Sequence, residues 1–256
     1  MSEEIPREKA FGAYLQRSMT PLHCLVFLLP FLVFYEIGLA FIRSHRINAA
    51  HALMLTILKW VGVSAYYAPA ICVVVIFLIW QIAGRHSWKV RPATLLAMLA
   101  EAVVFTLPLV ILHNLFVVIR HRLMALSETA GHLAASGIDA VQDDWFSELV
   151  LSTGAGIYEE LAFRLVLVAG MAFLIERLCR MSRQGSILLA VLISAGLFSA
   201  FHYWGASGYE FQWHSFLFRT AAAIYLSVLF ASRGFGITAG AHMLFNCAVT
   251  LFSHFA

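Results

Sequence analysis

Six residues in the second half of the chain have the types and spacings needed to hydrolyse an amide bond. The first group lies in Tyr158-Glu159-Glu160-Leu161-Ala162-Phe163-Arg164, a dense run of charge in an otherwise apolar stretch. A charged side chain at the centre of a bilayer costs about 3 kcal/mol on insertion scales, so each such residue is a functional candidate. On a helix, Glu160 and Arg164 stand at i and i+4, the favourable order for an ion pair. Adjacent residues point about 100° apart, at roughly 3.6 residues per turn, so Glu159 cannot share Arg164 equally. The spacing assigns Arg164 to Glu160 and leaves Glu159 for proton transfer, the work of a general base. Bracing of neighbouring helices is the competing role for all three. The second carboxylate weighs against it, because it adds charge that Arg164 does not compensate.

Two further pairs follow. His202 closes Phe198-Ser199-Ala200-Phe201-His202, and Phe198, one turn back, is placed to pack on the imidazole and fix it. Alone, a histidine beside Tyr203 and Trp204 is more often an interfacial belt residue. In His242-Met243-Leu244-Phe245-Asn246 two polar side chains stack at i and i+4 in apolar surroundings. Two convergent donors can hold a carbonyl oxygen as its charge develops. An interhelical hydrogen-bonding pair has the same signature. Taken together, a free carboxylate, a held one, a histidine able to share a water and two oxyanion donors cover the roles of water-activated amide hydrolysis.

The ordered set Glu159-Glu160-x-x-x-Arg164, Phe198-x-x-x-His202 and His242-x-x-x-Asn246, on successive apolar segments, resembles the CPBP family of CAAX-protease and bacteriocin-processing membrane proteins, which includes the CAAX prenyl endopeptidases. The resemblance spans Glu159–Asn246, and the chain before Trp145 carries no motif of that family. It implies a glutamate-type intramembrane endopeptidase with a helical membrane fold. On that resemblance Glu159 and His202 activate the water, Glu160 and Arg164 support the site, and His242 and Asn246 stabilise the oxyanion.

These residues must be positioned by membrane helices. Apolar residues make up 61% of 256 positions and charged residues 12%, which is too little polar surface to cover a water-exposed sphere. The apolar residues come in long runs, as expected where lipid is the solvent. A span needs about twenty such residues. Seven candidates satisfy this: Pro21–Ile42, Tyr66–Ile82, Pro92–Ile119, Trp145–Ile175, Gly185–Trp204, Ser215–Ala231 and Ile237–Phe255. Ala49–Val63, interrupted by His51 and Lys59, reads as an interfacial or re-entrant helix or as an eighth span. The expected fold is an all-α integral membrane bundle of about seven to eight transmembrane helices around an intramembrane polar cavity. Residues 1–256 form one domain, with the motif-bearing core at about 145–255.

The charged lead (Glu3, Glu4, Arg7, Glu8, Lys9, Arg17) precedes a run too long for a signal-peptide core, and the run reads as a retained first span. With the N-terminus inside, ten basic residues fall on the inner side (Arg233 among them) and five on the outer, including Arg43, Arg46 and Arg120. That bias predicts a multi-pass protein of a bacterial-type cell membrane with a cytoplasmic N-terminus. The polar connection 120–144 contains Asp139, Asp143 and Asp144. Cys24, Cys72, Cys179 and Cys247 lie far apart without metal-ligand spacing and read as small buried hydrophobes. Nothing resembles a nucleic-acid patch, and the net charge is only +3.

For His202 and His242 to meet Glu159, their helices must be tilted, broken or differently bounded. Gly205 and Gly208 after His202, and Gly234, Gly236 and Gly240 before His242, allow irregular backbone there. Glu36, Glu101, His113 and Glu148 read as interhelical hydrogen-bonding groups, with Arg219 a partner for one of the carboxylates. No cofactor is expected. Two histidines and a glutamate could make a zinc site, but no HExxH occurs and Arg164 places a cation among the ligands. The competing functions are a non-catalytic peptide-binding or bacteriocin-immunity membrane protein, for which loss of Glu159 or His202 would speak, and a proton-coupled transporter, against which the lack of an inverted repeat counts. The expected partners are membrane lipid and a membrane-associated or lipidated polypeptide. Substrate identity and oligomeric state are not encoded in these motifs.

Overall fold

The computed structural model describes residues 7–42, 47–128, 145–204 and 210–255. Glu3, Glu4, Arg43, Arg46, Asp139, Asp143, Asp144, Gly205 and Gly208 lie outside the described residues. The helices are α1 (Arg7–Ser18), α2 (Pro21–Phe41), α3 (Ala49–Trp60), α4 (Ala68–Ala83), α5 (Pro92–Glu128), α6 (Trp145–Glu160), a π-helical stretch (Leu161–Val168), α7 (Ala169–Leu178), α8 (Arg183–Phe201) and α9 (Trp213–Phe255). No strand occurs among the described residues. The protein is an all-α membrane bundle.

Four helices are long and apolar enough to cross a membrane by length and composition: α2, α5 as far as Leu123, α8 and α9. Their outer faces suit lipid. Along α5, Leu96, Val103, Leu107, Ile111 and Leu115 recur at helical spacing and are all exposed. The opposite face buries Met98, Ala102, Thr106 and Leu109.

The observed boundaries depart from the expected spans for local reasons. Tyr66 and Tyr67 fall in the turn before α4, whose sixteen residues start beside Pro69 and span only about 24 Å. The expected Trp145–Ile175 span runs on to Leu178 through the π stretch. Ser182 caps α8 by accepting from the Gly185 N–H, so that helix begins earlier than Gly185. The last two expected spans form one run of 43 residues with a kink at Gly234, whose φ of 76° and ψ of −178° suit glycine. At 12 residues, or about 18 Å, α3 is too short to cross a hydrocarbon core of about 30 Å.

Charge accounts for another difference. Arg233, counted as an inner-side loop residue, is buried in α9 immediately before the kink. Its Nε and Nη2 donate to the two oxygens of Glu101 at 2.5 and 2.7 Å, and Nη2 also reaches Ser18 Oγ at 3.2 Å. Tyr14 on α1 donates to the same carboxylate at 2.5 Å, and burial with the neighbouring Glu101 pushes its hydroxyl up to about 12, so it remains a donor. Glu101 therefore pairs with Arg233, and Arg219 does not serve it. Past the kink, residues 233–243 are buried on all sides, so this limb of α9 runs through the middle of the bundle. The cysteines are free. Cys24 is buried, Cys72 and Cys247 are half-buried, and Cys179 departs from expectation by lying exposed at the end of α7.

Candidate active site

The last turn of α6 delivers the glutamates. Residues 153–160 are all buried, and Gly156 lets the helix lie directly against α9. A Cβ at Gly156 would stand 2.7 Å from the backbone nitrogen of Met243, so only glycine permits this approach. The contact sets Glu160 beside His242, the neighbour of Met243. The π stretch begins at the next residue and carries Arg164; such widened turns concentrate at functional sites.

Glu160 is fully buried, and its Oε1 is shared. Arg164 Nη1 lies 3.0 Å from it, an ion contact whose angle falls short of a hydrogen bond. The Nδ1–H of His242 donates to the same oxygen at 2.7 Å. Arg164 is held further by the Ala223 carbonyl at 3.4 Å and by the face of Phe198, 4.6 Å from its guanidinium carbon. Glu160 therefore anchors a cation on its own helix and a histidine on another.

Phe198 is the hub between the two histidines. Its ring stands edge-on to His202 at 4.9 Å and to His242 at 6.2 Å. The His202 Nδ1 lies 2.9 Å from the Phe198 carbonyl. A carbonyl can only accept, so Nδ1 carries the proton and Nε2 of a neutral ring is left as the acceptor. His202 lies within electrostatic reach of Glu159, His242 and Arg219. It forms no direct hydrogen bond to Glu159 among the described residues.

Glu159, 5% exposed, has a partner that the motifs did not indicate. Asn48 donates from Nδ2 to Glu159 Oε1 at 3.1 Å. Asn48 is the N-cap of α3, and its Oδ1 accepts from the Ala50 N–H at 2.8 Å. Behind it, Tyr35 and His51 share a 3.0 Å hydrogen bond and pack with Tyr158, whose hydroxyl donates to Glu36 at 2.7 Å. The sequence signal for Asn48 was a polar residue just before an apolar helical segment, the mark of a cap. Nothing in that signal points to a glutamate 111 positions away.

The remaining site candidates are distributed as follows. Asn246 is half-buried on the limb that carries His242, one turn on, and its side chain makes no hydrogen bond among the described residues. Glu36 joins α2 to α6 through Tyr158. His113 packs against the rings of Phe218 and Phe245. Arg219 donates to the Tyr203 hydroxyl at 3.1 Å. Glu148 lies in the first turn of α6. Among the described residues no three His, Cys, Asp or Glu side chains are grouped to hold a metal ion.

Residues 142–248 match the family model described as Rce1-like, type II CAAX prenyl endopeptidase Rce1-like. The match covers rather less than half of the chain, from just before α6 to two residues past Asn246, and includes all three motifs. No curated protein and no solved structure matches the chain. The matched segment is similar to the CAAX-protease family that the motifs resemble. Asn48, Tyr35 and His51 come from outside it.

Proposed function

We propose that the chain hydrolyses a peptide bond in a membrane-anchored, lipid-modified polypeptide, with Glu159 as the base. The observation that carries this reading is the division between the two glutamates. Glu160 is occupied by Arg164 and His242, whereas Glu159 is held by one neutral amide and faces the His202 side of the site. In the reaction, Glu159 takes a proton from a water that His202 Nε2 helps to orient, and the oxygen attacks the scissile carbonyl. His242, in the doubly protonated form that donates from Nδ1 to Glu160 and from Nε2 into the site, and the Asn246 amide receive the developing oxyanion. Collapse of the intermediate breaks the C–N bond as the proton held on Glu159 passes to the leaving amine. The products are a carboxylate and a free amine.

The bundle is a single membrane domain with its N-terminus on the cytoplasmic side. With Arg233 removed from the count, the inner side still holds nine basic residues against five. The test is mass spectrometry of membrane-protein termini in the native host, comparing wild type with a chromosomal Glu159→Gln allele. A precursor that accumulates uncut in the variant supports the reading and names the substrate. If no terminus changes while the variant protein is present at its normal level, hydrolysis is refuted and peptide binding without cleavage takes its place.

A further inference from the structure

The outer face of α3 has no part in the chemistry above. Ala50 and His51 in its first turn are fully buried, and Met54 packs on the core one turn later. On the opposite side Leu53, Ile57 and Trp60 are exposed, within roughly 60° of one another around the helix. Trp60 is 80% exposed, and Val61 continues the patch past the last turn. Gly62, at a φ of 86°, then turns the chain, and Tyr66 and Tyr67 lie exposed just before α4. Lys59 is the only Lys, Arg, Asp or Glu in residues 49–67.

The level of this face in the bundle identifies what covers it. Leu32, Val33 and Ile37 on α2 line one cleft with Ala70, Ile71 and Val74 on α4, so α2 ends and α4 begins at the same end of the bundle. α3 joins these two ends. Val33, Ile37 and Phe41 on α2 and Ile71 and Val75 on α4 form exposed apolar rows that suit lipid, and the face of α3 continues them. An apolar row that finishes at a tryptophan and two tyrosines, with one lysine at its flank, has the composition of a helix lying in the bilayer surface. The aromatic rings sit at headgroup level there, and the ammonium meets phosphate.

The other end of α3 is the cap that reaches Glu159. Asn48 donates from Nδ2 to that carboxylate at 3.1 Å, and its backbone N–H approaches the Tyr35 hydroxyl, which bonds His51, at 3.5 Å. Because full burial is confined to the first turn, His51 is the fulcrum of the helix. At about 1.5 Å of rise per residue, Trp60 stands about 13 Å from His51 on one side and Asn48 about 4.5 Å on the other. A tilt of about 10° therefore carries Trp60 about 2 Å through the headgroup layer and Asn48 about 0.8 Å past Glu159. That displacement is enough to make or break a hydrogen bond of 3.1 Å.

We propose that α3 is a lever seated in the membrane surface: phospholipid holds the face of Leu53, Ile57 and Trp60, and that seat sets the contact between Asn48 and Glu159. The role of Glu159 as the base so steered rests on the hydrolytic reading above; the lipid seat and its link to the carboxylate do not. Trp60 is thus a positioning residue, acting on the site through Asn48.

The experiment uses the full-length protein in phosphatidylcholine vesicles. Trp60 emission is taken as the difference between wild type and Trp60→Phe, with bromine placed on the acyl chains either near the headgroup end or near the methyl end. Shallow bromine should quench this component about twofold more than deep bromine, as for a ring at the headgroup boundary. Quenching by neither lipid gives the face to water or to another protein, and stronger quenching by deep bromine sinks α3 into the hydrocarbon; both overturn the proposal. The second readout is the infrared carboxyl band of Glu159, isolated as the difference between each protein and its Glu159→Gln counterpart. Trp60→Glu should displace this band as Asn48→Ser does, while Trp60→Phe leaves it in place. An unmoved band in Trp60→Glu breaks the link and overturns the proposal. In the native host, a chromosomal Trp60→Glu allele should slow maturation of the precursor that Glu159→Gln leaves uncut, by about tenfold. Maturation at the wild-type rate in that allele also overturns it. If no precursor accumulates in Glu159→Gln while the band moves in Trp60→Glu, hydrolysis is refuted and the lever stands.

Discussion

The side-chain amide of Asn48 lies 3.1 Å from Oε1 of Glu159, joining the cap of a short helix to a glutamate 111 positions further along the chain. The two functions of Asn48 can be separated, because Oδ1 caps α3 while Nδ2 holds the glutamate. Asn48→Ser keeps a cap acceptor and loses the reach to Glu159. It should lower kcat about tenfold, with KM and melting temperature near wild type, as for the loss of one charge-assisted hydrogen bond. Asn48→Ala should lose about 1 kcal/mol of stability as well. Steady-state kinetics and thermal unfolding of the two variants distinguish these effects. A kcat that falls only in step with stability would reduce Asn48 to a cap.

The adjacent glutamates should fail in different ways. Glu159→Gln preserves shape and the contact with Asn48 but cannot accept a proton, so kcat should drop between about a hundredfold and ten-thousandfold in a folded protein. Arg164→Ala leaves the fully buried Glu160 without its cation and should destabilise the protein by about 3–5 kcal/mol. Size-exclusion profiles and unfolding curves run beside the activity assay separate loss of chemistry from loss of fold.

Gly156→Ala tests whether close packing of α6 on α9 sets the catalytic geometry. The added methyl would meet the Met243 backbone at 2.7 Å, and backbone cannot rotate away. The helices must part, costing about 1–3 kcal/mol and lengthening the contact between Glu160 and His242. A shift approaching 1 Å at that pair should reduce kcat about a hundredfold. Retained activity at reduced stability would show that the histidine tolerates the displacement.

Gly234→Ala addresses the break in α9. Its φ of 76° and ψ of −178° lie where side chains are strained, and the new Cβ would stand 3.2 Å from Met19. Stability should fall by about 1–3 kcal/mol. Gly196→Ala, in a helix with nothing within 4 Å of the added carbon, provides the contrast and should be neutral or mildly stabilising. Unfolding of the two variants in the same detergent gives the comparison.

The site was legible in the sequence where it follows helix periodicity. Glu160 with Arg164, Phe198 with His202, and His242 with Asn246 are i and i+4 pairs, and the first two make the contacts that this spacing suggests. Local pattern could not reveal the partners across helices. The ion contact of Arg164 was visible, but the sharing of the same oxygen with His242 depends on how α6 meets α9. Arg233 resembled a topology marker because it borders an apolar run, and only the fold brings Glu101, 132 positions away, to neutralise it. The glycines before His242 announced irregular backbone without telling which one bends, and the structure places the positive φ at Gly234 alone among them.

On the proposed hydrolytic reading, the attachment of Glu159 to Asn48 also sets the smallest piece of chain that keeps the base's support. A fragment beginning at residue 142 would hold every motif and the whole of the matched segment. It would lack the amide on Glu159, the Tyr35 and His51 support behind it, and the α2 surface against which Val150 and Gly154 pack. Recombination among relatives at the edge of the motif segment would therefore join a glutamate to a foreign cap. On that reading the inheritable unit extends back at least to α2, because residues that carry no signature hold the glutamate in place.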